Sequence, residues 1–191
     1  MRLIIGITGA SGVIYGIRLL DLLRQFSEVE THLILSSYGR YNINLETDYA
    51  PSDVEQLADV VHKESNLAAS ISSGSFKTDG MIIAPCSMKA LSSIVHSFTD
   101  GLIARAADVT LKERRPLVLM PRESPLHQGH CELILKAAQL GAIIAPPMPA
   151  FYNKPASIDD IVNHSVGRVL DLFDLDCDVV KRWTGQGSNT A

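Results

Sequence analysis

The chain has 191 residues, 46% of them apolar and 20% charged. That is the composition of a globular protein that hides roughly 70% of its unfolded surface in one core, and it is too short for two full domains. With 21 acidic against 17 basic residues and a formal charge of -4, a generally basic nucleic-acid-binding surface is excluded, so any anionic ligand must be held by a local gathering of cations. Cys86, Cys131 and Cys177 form no CxxC pair, which argues against a disulfide framework or structural zinc. The N-terminus enters a strand-like run without a signal peptide, and no apolar stretch approaches the ~20 residues of a membrane span. The expectation is a soluble, cytoplasmic protein.

Apolar runs of strand length alternate with helical stretches. Leu3 to Ile7 is the first strand, followed by the turn Thr8-Gly9-Ala10-Ser11-Gly12 and a helix from Val13 to Phe26. Thr31 to Leu35 is the second, ending in Ser36-Ser37. Ser52 with Glu55 has capping-box spacing and predicts the next helix. A third strand falls somewhere in Val61 to Ser70. Met81 to Ala84 precedes Pro85-Cys86-Ser87, and helices follow to about His96 and from Leu102 to Glu113. Leu117 to Met120 ends in Pro121-Arg122-Glu123. Leu126 to Leu140 is helical with Gly141 as its C-terminal cap, Ala142 to Ala145 is the last strand, and Ser157 with Asp160 opens a final helix to about Phe173. Strand and helix in alternation predict an α/β fold: a three-layer, Rossmann-like, doubly wound and mostly parallel sheet in a single domain over residues 1–183, with a flexible tail at 184–191. Such sheets bind ligands beyond the carboxyl ends of their strands. The loops there carry Ser11, Ser36, Ser87, Arg122 and Glu123.

Gly9-Ala10-Ser11-Gly12 is either an anion cradle at a helix start or a tight turn with Ser11 as N-cap, and it satisfies neither the dinucleotide fingerprint nor a P-loop. Ser87 caps the following helix and leaves free N–H groups for a phosphate or a heteroaromatic ring. Cys86 reads as a small core residue, not a nucleophile. Arg105, Lys112, Arg114, Arg115 and Arg122 form a cation-rich segment. Arg114 and Arg115 fit a solvated face. Arg122, just past a strand end, suits bidentate contact with a phosphate, and Glu123 suits a positioned acid or base. Pro146, Pro147, Pro149 and Pro155 stiffen a loop presenting Phe151 and Tyr152. The pair His127 and His130 matches no strong metal pattern. Trp183 either packs on a neighbouring subunit or anchors its own chain.

Taken in order, Gly6 to Gly12, Ile71 to Phe76, Pro85 to Lys89, Arg105 to Val109, Leu111 to Leu117, Pro121 to Glu123, Pro146 to Tyr152 and Arg168 to Asp171 resemble the flavin prenyltransferase family of the UbiX type. The resemblance implies FMN as the flavin, dimethylallyl monophosphate as the second substrate, and prenylated FMN, with new bonds at N5 and C6, as the product used by a UbiD-type decarboxylase in ubiquinone or aromatic-acid metabolism. It implies no metal, and a homododecamer of trimers with sites between subunits. By position, Gly9, Ala10, Ser11, Ser36, Ser87, Met88, Lys89, Ala90, Arg105 and Arg122 would contact the flavin. Lys112, Arg122, Tyr152 and Arg168 would hold the prenyl phosphate, some from a neighbouring chain. Glu123 would move a proton, and Ser11 would orient flavin N5. Two other readings are an FMN-dependent cysteine decarboxylase and a non-catalytic flavin carrier. The first would use a histidine early in the first helix, where this chain has Tyr15 and Gly16.

Overall fold

The computed structural model describes residues 1–183 and residue 185; the rest of the tail predicted at 184–191 lies outside the described residues. Residues Met1–Pro147 form one compact unit and the chain from Met148 a second.

The first unit is built on a six-stranded sheet of order β3-β2-β1-β4-β5-β6 with every pair parallel. The strands are β1 (Arg2–Ile7), β2 (Glu30–Leu35), β3 (Val60–Lys63), β4 (Gly80–Cys86), β5 (Leu117–Pro121) and β6 (Ile143–Ile144). The predicted doubly wound class is the one found, and its order reverses between β1 and β4, where such folds open a crevice. Alternate residues of each strand serve opposite faces. Ile4, Ile34, Met81, Ile83, Leu117 and Leu119 pack into one core with α4 (Met88–Val95), α5 (Leu102–Lys112) and α6 (Gln128–Gln139). Ile7 points the other way, to α1 (Ile14–Leu23). There a Cβ on Gly16 would stand 2.3 Å from the Ala84 carbonyl oxygen, so only glycine lets α1 approach the sheet so closely. Leu19, Leu20 and Leu23 of α1 are fully buried, each contributing roughly 1.5–3 kcal/mol.

Three local expectations are corrected. A helix absent from the sequence reading, α2 (Ser37–Glu46), follows β2 directly, with Ser36 as its N-cap. The helix expected with Ser52 as its cap is α3 (Pro51–Glu55): its N-cap is Ala50, two residues earlier, and the Asp53 carboxylate accepts the Ala50 N–H at 2.8 Å. Ser11 caps nothing, because α1 starts after Val13 without a side-chain cap.

The second unit holds α7 (Ile158–Leu170), with the predicted capping box of Ser157 and Asp160 present.

Away from the crevice, Glu30, His32 and His62 form a chain. The Glu30 carboxylate can only accept, so His32 donates through Nε2 (2.7 Å), leaving Nδ1 to accept from His62 Nε2–H at 2.8 Å. Burial, then the charge His32 would carry, holds the His62 pKa below its ordinary value. A histidine depressed in the fold takes its proton first in the unfolded chain, so its contribution is present above pH 6.5 and lost on acidification. His62→Gln is therefore expected to flatten the fall in melting temperature between pH 7 and pH 5.5. An unchanged slope would remove His62 from the acid response.

Candidate active site

Four strand ends meet at the switch point. The buried Thr8 hydroxyl, just after β1, donates to the Pro85 carbonyl at 2.7 Å and accepts the Ser87 N–H at 2.8 Å, tying the end of β1 to the end of β4. After β2, the Ser36 N–H reaches the Ile7 carbonyl at 3.0 Å, and the Ser36 hydroxyl accepts the Gly39 N–H at 2.9 Å. After β4, Ser87 does the same for α4, accepting the Ala90 N–H at 3.2 Å. After β5, the Arg122 N–H holds the Cys86 carbonyl at 3.1 Å.

These loops enclose a cleft of about 330 Å³ lined by Thr8, Gly9, Ser36, Tyr38, Ser87, Met88, Lys89, Ala90, Glu123 and the carboxylates Glu64 and Asp100, with Ile103 and Ala104 as its apolar wall. A Cβ on Gly9 would overlap Tyr38 Cβ at 2.2 Å, so this glycine is what allows α2 to close over the turn. Two capped helix starts, α2 and α4, face one cleft. Each cap uses a single N–H, and the remaining first-turn N–H groups and dipoles favour an anion. The third helix start is taken. Glu46 of α2 accepts the Gly12 N–H at 2.7 Å and reaches the Val13 N–H at 3.4 Å, so the glycine turn before α1 already has its anion.

The cleft gathers Gly9, Ser36, Ser87, Met88, Lys89, Ala90 and Glu123 of the sequence-predicted set. Ala10 and the exposed Ser11 lie on the adjoining turn outside its lining, and the exposed Arg122 flanks Glu123. Arg105 is committed elsewhere: its guanidinium donates to the Ser72 carbonyl and to Asp108, each at 3.1 Å. Lys112 sits at the far end of α5, paired with Glu113. Tyr152 and Arg168 belong to the second unit. There the Tyr152 hydroxyl meets His164, and Arg168 Nη1 lies 2.5 Å from Asp171 Oδ2.

Other expectations resolve locally. Cys86 is fully buried and its thiol is pushed up to about 12, as suits a core residue. Arg115 corrects the solvated-face reading: it donates to the Gly74 and Phe76 carbonyls and to the Thr78 hydroxyl. His127 starts α6 by accepting the Gly129 N–H at 3.0 Å, and the His130 ring lies against it, tilted by 31° with centroids 3.6 Å apart. Trp183 packs edge-to-face on Tyr152 of its own chain. Among the described residues, no helix is long and apolar enough to cross a membrane.

Residues 1–170 match the Flavoprotein family. The flavin prenyltransferase UbiX of Escherichia coli K12 is 58% identical over 186 residues, covering 96% of this chain and 98% of the relative. The chain belongs to the UbiX flavin prenyltransferase family. Two solved UbiX-type structures superpose closely. One is a dodecameric FMN-dependent UbiX-like decarboxylase from Escherichia coli O157:H7 (TM-score 0.96, 53% identity, 97% of this chain and all of that one). The other is AnUbiX (PadA1) in complex with FMN and dimethylallyl pyrophosphate (TM-score 0.95, 52% identity, 96% and 97%).

Within this UbiX-family cleft, sequence reasoning missed Thr8, Tyr38, Asp100 and Glu64. Glu64 follows β3 at the start of α5. Its Oε2 accepts the Ile103 N–H at 3.3 Å, and its backbone carbonyl accepts the Leu102 N–H at 2.8 Å. Burial pushes its pKa from 4.5 to about 7; Asp100 adds to the rise, against the Ile103 hydrogen bond and Lys89. A carboxylate raised in the fold contributes stability below pH 4.5 that is lost as pH rises through 7. Glu64→Gln, which keeps an acceptor for Ile103, is expected to stabilise the protein at pH 8 by about 1 kcal/mol after discounting for the open cleft, and not at pH 4. Equal shifts in denaturant midpoint at both pH values would contradict this.

Proposed function

We propose that the chain joins the dimethylallyl group of dimethylallyl monophosphate to reduced FMN at N5 and C6, making prenylated FMN for a UbiD-type decarboxylase. The observation that carries the reading is the convergence of the α2 and α4 starts, with Ser36 and Ser87, on a cleft that also holds Glu123 with Arg122 beside it.

The cleft suits FMN. The N–H groups of two helix starts suit one phosphate, and Ile103 and Ala104 offer an apolar wall to a flat ring. In this reading Ser36 and Ser87 to Ala90 hold the FMN phosphate side, Gly9, Ala10 and Ser11 border the flavin, and Arg105 fixes the neighbouring 71–76 loop through Ser72. Bound FMN supplies the nucleophilic N5 and C6 positions. The protein's own task is to stabilise charge on the departing phosphate and to move a proton. Arg122, Lys112, Arg168 and Tyr152, some of them from a neighbouring chain, would donate to that phosphate, which is how the reaction proceeds without a metal in this reading. Glu123 carries the proton.

A homododecamer of trimers belongs to the same reading. It is supported by exposed Tyr38, Tyr41 and Leu45 along α2, and by Leu135 and Leu140 at α6. So does a cytoplasmic location, where free thiols such as Cys86, Cys131 and Cys177 stay reduced.

Anaerobic incubation with reduced FMN and dimethylallyl monophosphate, followed by mass spectrometry of the flavin, is expected to give the prenylated product. Unmodified FMN, under conditions in which Escherichia coli UbiX turns over, would overturn the reading.

A further inference from the structure

Tyr152, offered above to the prenyl phosphate, is held by a residue that no sequence motif singles out. Its hydroxyl lies 3.3 Å from His164 Nε2, with the two rings edge to face at 5.7 Å and 81°. Trp183 packs against Tyr152, also edge to face, at 5.8 Å and 82°. His164 lies on α7 with 7% of its surface exposed, and its buried Nδ1 has no hydrogen-bond partner among the described residues. One helical turn further along α7 stands Arg168, its guanidinium held by Asp171.

We propose that His164 is a positioning residue for the reaction: its Nε2–H donates to the Tyr152 oxygen and so turns the phenol proton outward, towards the substrate phosphate. This rests on Tyr152 being a phosphate donor.

A phenol has one proton to give, and a phosphate oxygen only accepts. If His164 carried its proton on Nδ1, Nε2 would take the tyrosine proton, and Tyr152 would face the phosphate with lone pairs alone. That tautomer would also bury an N–H with no acceptor, which folded proteins avoid most strictly. With the proton on Nε2, the imidazole's one donor is satisfied and Nδ1 is left as a bare lone pair. Tyr152 then accepts from His164 and donates to the phosphate. A hydroxyl that accepts one hydrogen bond gives a stronger one through its own proton. His164 and Arg168, four residues apart on one helix, therefore present the two phosphate donors of this unit on the same side of α7.

The test is calorimetric binding of dimethylallyl monophosphate to the FMN-loaded protein, with inorganic phosphate as a second probe. His164→Phe keeps a ring in the site but removes the donor. It is expected to weaken both probes about tenfold, the worth of one neutral hydrogen bond, while FMN affinity stays put and reports an intact fold. His164→Gln restores an N–H donor and is expected to bind within about threefold of the unsubstituted protein. In a Tyr152→Phe background, His164→Phe should cost nothing further, because the two substitutions remove one arrangement. Equal losses for the Phe and Gln variants, or a full loss persisting without the tyrosine hydroxyl, would overturn the proposal while leaving Tyr152 a phosphate donor. Unchanged binding in Tyr152→Phe alone would overturn that underlying reading together with the proposal.

Discussion

Glu123→Gln is expected to bind FMN within about threefold of the unsubstituted protein and to lose a factor of roughly 10²–10⁴ in turnover, the range that a positioned proton-transfer group supplies. The structure separates the two effects. FMN retention follows from where the proposed binding groups come from: the Ser36 and Ser87 caps sit after β2 and β4, while Glu123 sits after β5. Loop geometry should survive as well. The Arg122 N–H is anchored on the Cys86 carbonyl, and Glu123 Oε1 accepts the Ser124 N–H at 3.0 Å, a bond that a glutamine oxygen can also accept. What glutamine cannot do is take up and release a proton at that point in the cleft. FMN titration together with single-turnover mass spectrometry of the flavin checks both halves. Turnover within threefold of normal would take Glu123 out of the chemistry.

The sheet was legible because its strands are buried on both faces, so Leu3–Ile7, Leu33–Leu35, Met81–Ala84 and Leu117–Met120 read as unbroken apolar runs. The turns that follow them were legible for the same reason, and with them Ser36, Ser87, Arg122 and Glu123. α2 was not. It buries only Gly39 and Ile43, leaves Tyr38, Tyr41 and Leu45 exposed, and contains a glycine and two asparagines, so neither an apolar stripe nor helix propensity marks it. Its start is nevertheless one of the two that shape the cleft. β3 was hard to place because it is a four-residue edge strand that is half exposed.

Glu64 was invisible for a different reason. Its partner Ile103 lies 39 residues away, and nothing local distinguishes a carboxylate that will face solvent from one that a distant helix start will bury. The same holds for Glu46, whose contact with Gly12 spans 34 residues. Sequence spacing left an anion cradle and a tight turn both open before α1, and only the tertiary fold puts a protein carboxylate there. Motifs marked which strand ends border the cleft; which of those ends remain free for a ligand was decided by contacts between distant segments.

Lys112 leads to the second large effect. α5 enters the cleft wall at Ile103 and Ala104 and runs back along the sheet, so Lys112 stands about 14 Å further along the axis, near the starts of the strands. There its ammonium pairs with Glu113 against the Gly74 turn. A lysine so placed cannot reach the cleft of its own chain. If it holds the prenyl phosphate, it serves a neighbouring chain's cleft. Lys112→Met is then expected to cost roughly 10²–10³ in turnover, as loss of one fixed donor to a developing anion does. The decisive measurement is complementation. Lys112→Met and Glu123→Gln chains, each nearly inactive, are co-expressed in equal amounts. In a symmetric assembly with sites shared between two chains, about a quarter of the sites then combine an intact Glu123 with an intact Lys112 from the neighbour, so activity should return to about a quarter of normal. A Lys112 that acted within its own chain would instead leave half of the chains lacking Glu123 and the other half lacking Lys112, with no recovery at all. Recovered activity would show that a fold of this size completes its phosphate site with a residue borrowed across a subunit boundary, which is also the reason a chain with a net negative charge can present enough cations to one leaving group.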